Sequence, residues 1–214
     1  MDTTISSRTD TASRVLDVAE RLVQTGGYNG FSYADIAAEL RITKASLHHH
    51  FATKAELGRA IVVRYCEVFG GALTAIDAGG VSPAARLERY VALYRGVLTE
   101  ERLCLCGMLA AEYATLPKSM QTEVRRFFDL NEQWLAQVVE EGRREKLFHV
   151  RGSSREVARW LLGGLEGAML MARPYNDVER FAAAASHMLA DLKVAHGARP
   201  ASRRQRGSAA RRVG

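Results

Sequence analysis

The chain has 214 residues, 47% hydrophobic and 25% charged, with a formal net charge of +6. That apolar content is ordinary for a globular protein and excludes wholesale disorder, and no window approaches the ~18 consecutive apolar residues of a membrane span. The opening MDTTISSRTD has no basic segment leading into an apolar core, so no secretory leader is expected and the expected location is cytoplasmic. The charge alone suggests a polyanionic partner, but it is unevenly placed. Arg199, Arg203, Arg204, Arg206, Arg211 and Arg212 stand in 197–214 with no acid among them, which leaves the rest of the chain formally neutral. That segment reads as a basic disordered tail. Cys66, Cys104 and Cys106 cannot all pair, and free thiols of a reducing compartment are the simpler expectation.

Apolar residues recur at the helical period and no run alternates as a strand would, so the fold class is all-α. Over 14–25, Val15, Leu16, Ala19, Leu22 and Val23 share a face, and Gly26-Gly27 ends the helix. Ser32-x-x-Asp35 starts the next as a capping-box variant, with Ile36, Ala37 and Leu40 inward. Arg41-Ile42-Thr43 is a tight connection in which Thr43 is the N-cap of KASLHHHF. Thr53-x-x-Glu56 opens a longer helix to about Ala75. Ser82-Pro83 starts another, which carries Leu87, Tyr90, Val91, Tyr94, Val97 and Leu98. A short helix is expected near 105–115, a long one from Pro117 to about Lys146, one from Ser153 to about Ala172, and a last one capped by Asn176 and reaching about Ala195. Two short helices joined by a three-residue turn, behind a stabilising first helix, form a helix-turn-helix candidate.

The residues Ile36-Ala37, Ile42-Thr43-Lys44-Ala45-Ser46-Leu47-His48-His49-His50-Phe51 and Thr53-Lys54-Ala55-Glu56-Leu57 resemble the amino-terminal domain of the TetR family of transcriptional repressors. The usual pattern there is an Ile-Ala pair, a recognition helix of small residues ending Leu-aromatic-aromatic-His-Phe, and a Lys-x-x-Leu start to the fourth helix. His48 and His49 stand where the family often has tyrosines. The resemblance implies a homodimer and a divergent carboxy-terminal domain with a dimer interface and a small-molecule pocket. The expected division is an arm over 1–11, a DNA-binding head over 12–60, a helical ligand-binding and dimerisation domain over 61–196, and the tail.

A recognition helix entering the ~12 Å major groove must present short or polar side chains. Thr43, Lys44, Ala45, Ser46, His48, His49 and His50 are the candidates for DNA contact, with Leu47 and Phe51 anchoring from behind. Ser32 and Lys54, each at a helix start, are placed to hold phosphates. Three consecutive imidazoles diverge by ~100° each on a helix and cannot converge on one ion, so no metal site is expected. Residues 1–60 hold seven basic and seven acidic groups, so affinity should depend on specific contacts and dimerisation rather than on bulk charge.

In the larger domain, Gly163, Gly164, Gly167, Ala168 and the Ala182–Ala185 run suit close helix packing across a dimer interface. A ligand pocket would draw on Phe69, Tyr90, Tyr94, Met108, Tyr113, Phe127, Trp134, Trp160 and Met169, with Asn131 and Glu112 as polar orienters. Glu112 stands out as an acid in the apolar stretch MLAAEYATL. Cys104 and Cys106 sit at the start of the short helix, where a thiol pKa can be lowered. They carry the alternative of an electrophile- or redox-sensing repressor, or else are inert core. No catalytic motif and no cofactor motif is present. The main reading is a ligand-responsive DNA-binding regulator; an enzyme, or a helical interaction module without DNA binding, is the other class.

Overall fold

The computed structural model describes residues 3–193. The basic tail over 197–214 lies outside the described residues. Among those residues the secondary structure is nine α-helices and two short 3-10 turns, with no strand. The head comprises α1 (Thr3–Gly26), α2 (Tyr33–Leu40), α3 (Lys44–His50) and the first turns of α4 (Lys54–Ala78). The body comprises the rest of α4 with α5 (Pro83–Thr99), α6 (Leu105–Ala111), α7 (Lys118–Arg144), α8 (Ser154–Ala172) and α9 (Val178–Lys193). Helix α1 takes in most of the stretch expected to be an arm.

Local chemistry sets the ends of most of these elements. Ser32 closes a full capping box with Asp35, and Thr43 and Thr53 each accept an N3 amide, from Ser46 and Glu56. Ser82 caps α5 with Pro83 at its first position, and Ser153 with Glu156 forms a second capping box at α8. The start of α9 differs from expectation. Asn176 is in the left-handed conformation, and the cap is Asp177, whose Oδ1 accepts the Arg180 amide at 3.0 Å. The stretch expected as one helix near 105–115 is α6 followed by a 3-10 turn over Tyr113–Thr115, with Glu112 between them.

Helix α4 runs unbroken from head to body. Its Arg64 pairs with Asp17 at 2.6 Å and Glu20 at 2.8 Å, fixing it to α1. Helix α7 packs on both α4 and α8, and α8 on α9. The body core holds an aromatic cluster of Tyr65, Phe69, Tyr90, Tyr94 and Phe127, with ring centroids 5.2–6.1 Å apart. On α8, Trp160, Leu170 and Met171 stay exposed, as does Tyr175 beyond it. No helix among the described residues is long and apolar enough to cross a membrane.

Candidate functional site

The head presents α3 on a rigid base. Leu47 is fully buried and Phe51 packs against the core, while Lys44, Ala45, His48 and His49 are exposed and Ser46 and His50 half-buried. The Tyr33 hydroxyl donates to the Phe51 carbonyl at 2.8 Å, and the Tyr33 ring lies 4.8 Å from that of His48. Burial pushes the Tyr33 pKa up to about 12, so this donor stays protonated. His48 Nδ1 is 3.0 Å from the Ala52 carbonyl. A carbonyl only accepts, so Nδ1 is the donor in this contact.

Two residues assigned to phosphates are engaged inside the head. The Ser32 hydroxyl donates to Asp35 at 2.8 Å and accepts the Ala34 amide. These bonds hold the Asp35 carboxyl below its ordinary range. Lys54 donates to the Phe31 carbonyl, with its ammonium 4.5 Å from the Tyr28 ring centroid and 4.3 Å from that of Phe31. Burial lowers its pKa. In this geometry Ser32 and Lys54 brace the α1–α2 loop and the α4 start.

Glu112 is neither solvent-facing nor a pocket orienter. Its carboxylate accepts the amides of Tyr28 at 2.5 Å and Asn29 at 3.2 Å, and the Asn29 side-chain amide at 3.1 Å. The body thus holds the α1–α2 loop of the head chiefly through Glu112 at the end of α6, with Thr115 accepting a further bond from the Asn29 side chain at 2.9 Å. Gly27 is required there twice over. Its φ is +83°, and a Cβ on it would stand 2.8–2.9 Å from the Glu112 carboxylate.

The cavity lies between α6, α7 and α8. It is a partly open pocket of about 210 Å³, and Leu103, Cys104, Met108, Phe128, Glu166, Met169 and Leu170 are among its lining residues. Cys104, Met108 and Met169 were expected there, and Tyr94 reaches it through Glu166. The remaining candidates lie elsewhere. Phe69 and Phe127 belong to the aromatic cluster, and Cys106 is fully buried behind the wall. Trp134 stacks on Tyr90 and donates to Asp77 at 3.0 Å. Tyr113 accepts from Arg125 at 2.9 Å, and Trp160 faces outward in a separate depression with Val157 and Asp191. A larger open groove of about 660 Å³ between α7 and α8 is lined mostly by polar and charged residues, among them Glu132, which pairs with Arg155 at 2.6 Å and Arg159 at 2.9 Å.

Glu166 is the residue the sequence reading missed. Like Glu112 it is an acid in an apolar helical run, LLGGLEGAMLMA, so the same signal marks it. The Tyr94 hydroxyl lies 3.4 Å from Glu166 Oε1 and 3.2 Å from the Tyr90 hydroxyl. Tyr90 donates to Asn131 at 2.8 Å, and Asn131 donates to the Phe127 carbonyl at 2.8 Å. With Glu166 protonated, this chain has a donor at every step. Burial pushes the Glu166 pKa up to about 7.

The cysteines do not fit a sensing role based on thiolate at the α6 terminus. Cys104 is the N-cap of α6, yet burial and then the nearby Glu166 charge push its pKa well up. Burial does the same to Cys106. Cys66 alone is lowered, by its hydrogen bond with Cys106, and it is buried. Desolvation outweighs the helix-end effect that the sequence position suggested. Among the described residues no group of three or more His, Cys, Asp or Glu side chains is arranged to hold a metal.

A short exposed helix braced for groove entry, joined to a helical body with a small apolar pocket, defines a ligand-responsive DNA-binding regulator. Residues 15–61 match the model of bacterial regulatory proteins of the tetR family, and residues 83–188 match that of the tetracyclin repressor-like C-terminal domain. A TetR-family regulator from Agrobacterium tumefaciens superposes with a TM-score of 0.84 at 31% identity, covering 87% of this chain and 100% of its own. One from Legionella pneumophila gives 0.77 at 31% identity, over 84% and 96% of the two chains. The HTH-type transcriptional repressor NemR of Escherichia coli is 24% identical over 84% of this chain and 92% of its own. The chain belongs to the TetR family, whose members are ligand-responsive DNA-binding repressors and generally non-enzymatic. They bind DNA as dimers with small-molecule effectors.

Proposed function

We propose that two copies of this chain place their α3 helices in major grooves of a pseudo-palindromic operator, and that a small molecule in the α6–α8 cavity releases them. The observation that carries the DNA half is the exposed face of Lys44, Ala45, His48 and His49 on a helix anchored by the fully buried Leu47. Thr43, Ser46 and His50 flank that face and complete the contact set. Lys44 and His49 take the phosphate contacts first given to Ser32 and Lys54, whose polar groups are engaged in the head.

Dimerisation is assigned to the outer face of α8 and to α9. Trp160 and Met171 are exposed there, and Cβ atoms added at Gly163 or Gly167 would meet open space. Gly164 and Ala185 serve packing within the chain instead, Gly164 against Met188 and Ala185 in the core.

Ligand coupling runs through α6. Its first turns line the cavity, and the Glu112 carboxylate at its end holds the head. A ligand that shifts α6 alters that hold and the angle at which α4 carries α3. Release requires the ligand to prefer the non-binding arrangement.

Fluorescence anisotropy on DNA selected from a random library by the full-length protein tests the reading. Enrichment of a two-fold symmetric sequence, bound as a dimer, is the expected result. Failure to enrich any sequence over random DNA overturns it.

A further inference from the structure

We propose that the cavity beside Glu166 takes a compact organic cation, a substituted ammonium whose charge meets the Glu166 carboxylate and whose alkyl groups pack on Met108, Phe128 and Met169. The inference rests on the ligand-responsive reading above and names the ligand class of that same site.

The cavity wall is apolar apart from one acid. Glu166 is hydrogen-bonded by Cys104 at the start of α6 and by Tyr94 from α5, and the titratable groups Tyr65 from α4, Tyr90 from α5 and Cys106 stand near enough to feel its charge. All five have raised pKa values and are neutral near pH 7. No lysine or arginine among the described residues pairs with Glu166. A fully buried acid of the body shows the contrast with the half-buried Glu166, since Glu123 is paired with Arg59 at 3.0 Å and Arg126 at 3.5 Å.

A carboxyl group held in such surroundings without a cation is costly to ionise. A glutamine or leucine would serve a purely structural need. The fold instead makes room for the acid, because a Cβ at Gly107 would stand 2.3 Å from Glu166 Oε2. Phe128 adds an aromatic ring to the wall, which favours a cation over a neutral group of equal shape. A volume of about 210 Å³ suits a small ligand.

Proton linkage gives the site a signature. Cation binding requires ionised Glu166, whose pKa is about 7. Affinity for a permanently charged ligand therefore rises with pH through neutrality, by about tenfold from pH 6 to pH 8. A neutral ligand that accepts from the protonated acid shows the opposite slope.

The test is calorimetry on the full-length protein with choline and its neutral carbon isostere, 3,3-dimethylbutan-1-ol. Choline is expected to bind at pH 8 at least tenfold tighter than the alcohol, and to lose about tenfold at pH 6. Glu166→Gln removes the preference, and Phe128→Leu reduces it severalfold. Equal or tighter binding of the alcohol, no binding of choline, a flat pH profile, or a choline preference that persists in Glu166→Gln overturns the proposal. The pH series on the unaltered chain decides the matter even where a variant fails to fold. Anisotropy with selected DNA separates the two readings. If DNA binds while choline does not, the ligand class falls and the regulator stands. If choline binds through Glu166 while no sequence is selected, the regulator reading falls and the site stands.

Discussion

The head and the body of this molecule are built to opposite rules. In the head, the groups around the two short helices are satisfied locally: the Ser32–Asp35 box, the Thr43 and Thr53 caps, and Lys54 on the Phe31 carbonyl. What remains outward on α3 is a short row of exposed side chains. The body keeps its chemistry inside, with an acid lacking a cationic partner and a hydrogen-bonded tyrosine chain beside a small cavity. A surface that reads DNA needs rigidity beneath exposed contacts. A site that senses a molecule needs a buried group whose state the molecule changes.

The largest expected effect breaks the head alone. Leu47 is fully buried beneath α3, and Leu47→Ala is expected to cost about 2–4 kcal/mol and to abolish operator binding, while the cavity still binds its ligand. Urea denaturation with parallel anisotropy checks this, and concurrent loss of ligand binding would show that head and body are one unit.

Next comes the connection between them. Glu112→Ala leaves the Tyr28 and Asn29 amides without their acceptor and should cost about 1–3 kcal/mol. It should also weaken the effect of ligand on DNA affinity more than DNA affinity itself. Gly27→Ala should do the same by a different route, through its positive φ and the close carboxylate.

A body-specific effect follows from Glu166. Its folded pKa of about 7 lies above that of an exposed glutamate, ~4.3. The folded state therefore holds the extra proton between these values, and stability falls as pH rises from about 4.5 through 7. The full shift corresponds to at most about 4 kcal/mol, less for the part of Glu166 that stays accessible. Thermal melts of Glu166→Gln should be flatter between pH 5 and pH 8 than those of the natural chain.

The smallest effect returns to the head. Arg41 holds φ +55° in the turn before α3, a conformation that costs a side chain ~1–2 kcal/mol. Set against the greater unfolded-state freedom of glycine, Arg41→Gly should stabilise by up to about 1 kcal/mol in the same urea assay.

How legible each region was follows from how each is assembled. The α2–α3 unit lies within one stretch from Ser32 to Glu56, so caps, turn and anchor residues could be read from neighbouring positions. Glu166, Phe128 and Cys104 come from three separate parts of the chain, and only packing brings them to one wall. The acid-in-apolar-run signal was present at both Glu112 and Glu166. Sequence shows that such an acid needs a reason, but not whether a backbone amide or a cavity supplies it. Lys54 shows a related ambiguity. Its place at a helix start suggested phosphate, but a long side chain can turn back onto a carbonyl and two rings.

The central claim is that α3 carries sequence recognition, and Ala45 tests it most directly because it is exposed on that helix. Ala45→Glu adds a negative charge facing the groove without disturbing the core. Anisotropy on the selected operator should show at least a hundredfold weaker binding with an unchanged melting temperature. Operator affinity within twofold of the natural chain would contradict the account and place the DNA-reading surface elsewhere.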